Sequence, residues 1–107
     1  MRQTKVAQRY SKALFDLAIE TGKVEAVKHD LDLIKGLGHK ELSILLVSPI
    51  VSGDKKTAIF DAIFSKHVQP LTASFFKLVF TKGRSVAINE IIEAYADKYR
   101  EHKGIKI

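Results

Sequence analysis

Val6-Ala7-Gln8-Arg9-Tyr10-Ser11-Lys12-Ala13-Leu14-Phe15-Asp16-Leu17-Ala18 decides how this chain folds. At about 3.6 residues per turn, Val6, Tyr10, Ala13, Leu14 and Leu17 fall on one seam of a helix. Ala7, Ser11, Phe15 and Ala18 form a second seam beside it, and Lys5, Arg9, Lys12, Asp16 and Glu20 share the remaining face. A surface helix commonly needs an apolar stripe about 100° wide or a little more. This helix has nearly twice that, so it is expected to be covered on two sides. Either it lies in the middle of a bundle, or its second side is kept for a partner.

Outward from that stretch, helical spacing continues along the chain with no useful run of strand-like alternation. The first helix is predicted from about Thr4 to Thr21, with Thr4 as N-cap and Gly22 ending it in the left-handed conformation. A second runs from Lys23 to about Leu37 with the stripe Val24, Val27, Leu31 and Ile34. A short third fits Lys40 to Val47, stopped by Ser48-Pro49 because the residue before proline is pushed out of the helical region. Ile50 and Val51 make an apolar extended link. Ser52 caps a fourth helix through Phe64, with Asp54 in its positive first turn and Ile59, Phe60, Ile63 and Phe64 inward.

Pro70 suits the first turn of a fifth helix, Pro70 to Lys82. That helix repeats the oddity of the first: Leu71, Phe75 and Leu78 form one seam, and Phe76, Val79 and Phe80 another. Gly83 ends it. The sixth, Arg84 to His102, carries the single stripe Ile88, Ile91, Ile92, Tyr95 and Tyr99. The expected fold is therefore all-α, a single six-helix bundle, with Phe60, Phe64, Ile88, Ile92 and Leu31 in its core. Tyr95 and Tyr99 continue an isoleucine stripe and read as core with their hydroxyls at the rim, rather than as a platform for stacking bases.

The bulk composition fits a globular domain. The 107 residues are 46% hydrophobic and 28% charged, enough for one core. The longest aliphatic run, Ile44-Leu45-Leu46-Val47, is far too short to span a bilayer, and the first helix interleaves its apolar residues with charges as no signal peptide does. There is no cysteine, which removes disulfide, thiolate and Cys-zinc chemistry and suits a reducing compartment. The net charge of +6 and the pI of about 9.6 would suit an anionic partner. The basic residues are spread along the chain and mixed with acids, however, with Lys55-Lys56 the only adjacent pair, which reads as a solvated surface.

No catalytic or metal site assembles. His29, His39, His67 and His102 are far apart and form no metal-ligand pair, so surface or capping roles are expected for all four. Asp30 and Asp32 face different sides of one helix. There is no phosphate-binding glycine loop, and no cofactor is expected.

The motifs in order resemble a known family. The opening stretch is similar to the "ARRYAKALFELA" pattern at the start of the delta subunit of F-type ATP synthase, the oligomycin-sensitivity-conferring protein family. Leu46-Val47-Ser48-Pro49-Ile50-Val51-Ser52 followed by Lys55-Lys56 resembles that family's loop before its fourth helix. Pro70-Leu71-Thr72 with Phe75-Phe76-Lys77-Leu78 resembles the start of its fifth. Lys82-Gly83-Arg84 is similar to its "NGR" turn, and Tyr99-Arg100-Glu101-His102-Lys103-Gly104-Ile105 to the segment leading out of its N-terminal domain. Two departures stand out. Gly36-Leu37-Gly38-His39 replaces a longer, more helical segment, and the chain stops where the family continues into a C-terminal region. The resemblance thus implies an N-terminal helical domain over 1–104, with 105–107 beginning a link to an absent region.

The resemblance also implies a function, a non-catalytic stator subunit of the proton-translocating ATP synthase. The domain would sit on top of the catalytic head and bind the N-terminal helix of an alpha subunit in a groove between its first and fifth helices. The absent region would meet the peripheral-stalk b subunit. Location would be peripheral, at the cytoplasmic face of the bacterial cell membrane, with membrane contact only through the complex and no nucleic-acid partner. Tyr10, Ala13 and Leu78 match family positions facing the groove. Leu14, Leu17, Leu71, Ser74 and Phe75 join them as neighbours on the two helical wheels. A rival class is the RNA-binding antitermination factor of the NusB type, also an all-helical bundle. Arg2, Lys5, Arg9 and Lys12 cluster modestly, as an RNA binder's cations do, but the ordered ATP synthase motifs outweigh that cluster.

Overall fold

The computed structural model describes residues 4–37, 48 and 50–104. Among these there are five α-helices and no strand: α1 (Lys5–Thr21), α2 (Val24–Leu37), α3 (Gly53–Phe64), α4 (Pro70–Thr81) and α5 (Ile88–His102), with one 3₁₀ turn, Ser85–Ala87, leading into α5. The architecture is a helical bundle. Five helices are seen rather than six; the expected helix Lys40–Val47, like His39, lies outside the described residues. The helix expected from Arg84 starts later, because Ala87 closes a tight turn by donating its N–H to the Arg84 carbonyl at 2.9 Å. The helix expected to reach Lys82 ends at Thr81.

The ends of α1 are made by the residues expected to make them. Thr4 is extended, and its hydroxyl accepts the Ala7 N–H at 3.1 Å. Gly22 takes φ 68°, a conformation that costs a residue with Cβ strain, and the N–H groups of Gly22 and Lys23 reach back to the Ile19 and Ala18 carbonyls. Ser52 likewise caps α3 by accepting from the Lys55 N–H.

The bundle is held by α1 packed along α5, α3 along α4, and α2 lying against α5, α1 and α4. Thr4 N–H donates to Glu90 Oε1 at 2.7 Å, and Phe15 meets Tyr95 and His102 edge-on at 5.4 and 5.6 Å. α1 and α5 therefore run parallel. The core contains Leu31, Phe60, Phe64, Ile88 and Ile92, all five of the expected residues. Between α3 and α4 it is aromatic: Phe60 stacks on Phe76 at 4.9 Å and lies 5.0 Å from Phe64. Gly53 at the head of α3 is required by close approach, since a Cβ there would sit 2.5 Å from the Phe80 carbonyl oxygen.

The rotation of α3 and the depth of Tyr95 differ from expectation. Ile63 is 41% exposed and Ile59 only half-buried, because α3 is turned so that Lys56, Phe60 and Phe64 point at α4 and the turn after it. Lys56 buries its methylene stem there, and its ammonium donates to the Ser85 hydroxyl. Tyr95 does not reach the rim. It is fully buried, donates its hydroxyl to the Val24 carbonyl at 2.9 Å, and burial pushes its pKa upward. Tyr99 is half-buried, with the Lys28 ammonium 5.5 Å above its ring.

Burial holds the Lys56 pKa below the ordinary lysine value of 10.5. The folded state therefore binds that proton less well than the unfolded chain, and is penalised while Lys56 stays charged. The penalty fades as pH rises toward 10.5. The stability of the wild type relative to Lys56→Met should thus rise from neutral pH into the alkaline range, read by urea unfolding. A difference that stays flat with pH would place the ammonium in water.

Asp30 is buried while Asp32 is exposed and pairs with Lys28 at 2.7 Å. Asp30 Oδ2 accepts both the Gln69 N–H and the Thr72 hydroxyl, each at 2.8 Å. Gln69 makes no capping bond with its own side chain, so a carboxylate from α2 caps α4 at the positive end of its dipole. Asp30→Ala should destabilise the fold by about 2–3 kcal/mol, the sum of a lost cap and an orphaned buried hydroxyl. A denaturant midpoint equal to that of the wild type would contradict this.

Candidate functional site

Among the described residues, α1 is covered on one side and open on the other. Ala7, Ser11, Leu14, Phe15 and Ala18 are buried. On the other side Ala13 is exposed, Val6 and Tyr10 are half-buried, and Leu17 is 46% exposed. α4 behaves in the same way. Thr72, Phe75, Phe76, Val79 and Phe80 are buried, Leu71 is half-buried and Ser74 exposed, and Leu78 is 44% exposed.

The two uncovered sides face one another across a groove of about 420 Å³, with almost wholly apolar walls. Its lining includes all eight residues singled out in the sequence: Tyr10, Ala13, Leu14 and Leu17 from α1, and Leu71, Ser74, Phe75 and Leu78 from α4. Leu14 and Phe75 also serve the fold. Both are buried and form the floor. Tyr10 bridges the floor by meeting Phe75 edge-on at 6.3 Å. Ala13 leaves the α1 wall low, while Leu17 and Leu78 stand up at its sides.

Two lining residues escaped the sequence reading, Arg9 and Lys82. Each lies next to an apolar seam in the helical register, but a search for apolar spacing passes over a charge.

The groove has few polar groups. Among the described residues, the Tyr10 and Ser74 hydroxyls and the two cations are its polar side-chain groups. Its shape suits an amphipathic helix laying an apolar stripe between two helices. Elsewhere, Lys5, Arg9, Lys12 and Lys98 border a shallow polar depression with Asp97 and Glu101, and Lys12 pairs with Asp16 at 2.8 Å. Acids thus interrupt the basic cluster that an RNA binder would concentrate. Arg2 lies outside the described residues. His29, His67 and His102 are exposed, and no group of three or more metal-ligating side chains gathers among the described residues.

The family model for the ATP synthase delta (OSCP) subunit matches residues 6–107. The chain belongs to that family. It is 39% identical over its whole length to the ATP synthase subunit delta of Cytophaga hutchinsonii, covering 60% of that protein. It is 33% identical to the subunit delta of Carboxydothermus hydrogenoformans, with 97% of this chain and 59% of that protein aligned. Against the chloroplastic ATP synthase delta chain of Chlamydomonas reinhardtii it is 38% identical, with 92% of this chain and 46% of that protein aligned. The chain therefore spans about three-fifths or less of these family members.

Proposed function

We propose that this chain serves as a stator component of an F-type ATP synthase, and that the groove between α1 and α4 seats the N-terminal helix of an alpha subunit at the top of the catalytic head. The observation that carries the reading is the groove itself. Two helices each leave an apolar side uncovered, and those sides lie face to face, as an apolar site on a water-exposed domain does when it is kept for a partner. Family membership supplies the complex in which such a partner occurs.

The role is mechanical rather than catalytic. A docked helix ties the domain to the head, and the region of family members beyond this chain's length would tie it to the peripheral-stalk b subunit, so that the head does not turn with the rotor. Membrane contact would come through the complex, at the cytoplasmic face; no described helix is long and apolar enough to cross a membrane.

The test is a calorimetric titration of the chain with a synthetic peptide of the matching alpha subunit's N-terminal helix. One saturable site is expected, with far less salt dependence than a phosphate-binding RNA surface would show. Absence of binding, or binding that survives filling of the groove, would overturn the reading.

A further inference from the structure

We propose that the groove selects a helix by charge as well as by its apolar stripe: the occupant carries carboxylates at one end of the stripe, and Arg9 and Lys82 receive them. This rests on the groove being the seat of a partner helix.

Among the described residues, the two charged ones lining the groove, Arg9 and Lys82, are cations, and none is acidic. α4 contributes no Asp or Glu along its whole length. Arg9 and Lys82 are exposed, and neither is ion-paired with another described residue. On the groove side no described carboxylate stands beside them, although the far side of Arg9 borders the depression that holds Asp97 and Glu101, and at the apolar walls a bound helix would exclude water and strengthen any pairing.

Position sharpens the inference. The start of α5 lies beside the start of α1, held there by the Thr4–Glu90 hydrogen bond. Only the short stretch 82–87 joins the end of α4 to the start of α5. The end of α4 must therefore lie near the start of α1, so the two walls run antiparallel. Arg9, in the second turn of α1, and Lys82, just past the end of α4, then share one end of the groove. Leu17 and Leu71 mark the other. Positive potential is concentrated at a single end, and a helix with carboxylates at one end of its stripe matches it.

Two synthetic helical peptides test this. They share one stripe of Leu, Ile and Phe at i, i+3, i+4 and i+7. One carries Glu at the polar positions flanking one end, the other Lys. In calorimetric titrations at low salt, the Glu peptide should bind about tenfold more tightly. The gap should shrink at high salt. The double variant Arg9→Glu/Lys82→Glu should reverse the preference while keeping the circular dichroism spectrum, because both side chains are exposed. Lys35→Glu, a charge reversal at the end of α2, should leave it unchanged. Equal binding of the two peptides, or a preference that persists in the double variant, overturns the charge assignment and leaves the groove standing. Failure of both peptides and of the alpha-subunit peptide to bind overturns the groove as well.

Discussion

Cutting Phe60 back to alanine should destabilise the domain by about 3–5 kcal/mol. Phe60 is 1% exposed and is the hub of the aromatic cluster, stacked on Phe76, tilted against Phe64 and edge-on to Phe80. Its removal forfeits the transfer energy of the ring, leaves a cavity that stiff neighbouring rings cannot close, and breaks ring pairs worth about 0.5–1.5 kcal/mol each beyond their area. α3 and α4 are coupled through this cluster, so the loss falls on the main contact between them. In a domain near this size each kcal/mol shifts the melting temperature by about 4–8 °C. Ile63→Ala, one turn further along α3, is the matched control. Ile63 is 41% exposed, and its truncation should cost well under half as much. Thermal unfolding of the two variants side by side checks this; equal shifts would mean that α3 is rotated from the orientation described.

That pair of isoleucine and phenylalanine marks how far the amino-acid sequence could be read. Helical spacing placed Phe60, Phe64, Ile88, Ile92 and Leu31 inside because each helix concerned has one apolar face, and one face leaves little choice. Within α3 the apolar arc was wide enough to admit Ile59 and Ile63, and it also contained Lys56, which its charge disguised. Which part of such an arc turns inward depends on the crossing of α3 over α4 and on the Ser85 hydroxyl waiting there, and neither is local. Asp30 shows the same limit. Its separation in sequence from Gln69 and Thr72 leaves no spacing rule to connect them. The walls of the groove were legible for the opposite reason. Each is one helix with two apolar seams, and a seam that a helix does not need is visible in one dimension; that the two walls form one groove was implied by the family resemblance, not by spacing. Arg9 and Lys82 stayed hidden because what places them in the groove is the antiparallel course of α1 and α4, set by the turn through residues 82–87.

Ala13→Asp should leave the domain folded and abolish its binding of the alpha-subunit helix. Ala13 is exposed on α1, so in the free domain a carboxylate there stays in water. Its effect on folding is confined to the lower helix propensity of aspartate, well under 1 kcal/mol. In the complex the same carboxylate would be pressed between α1 and an apolar stripe, stripped of its water among Tyr10, Leu14 and Leu17, and would draw Arg9, one turn earlier on α1, away from the bound helix. Taking a charge out of water costs several kcal/mol even beside a counter-ion, and about 3 kcal/mol already weakens binding roughly a hundredfold. The contrast lies on the other face of the same helix. Ala18 is fully buried, and Ala18→Asp should prevent folding altogether. Circular dichroism and peptide titration of the two variants therefore separate the faces of α1. If Ala13→Asp unfolds the domain, its seam belongs to the core; if it folds and binds with normal affinity, the partner helix sits elsewhere. A folded protein that no longer takes the peptide is the result expected of a groove whose low wall is Ala13.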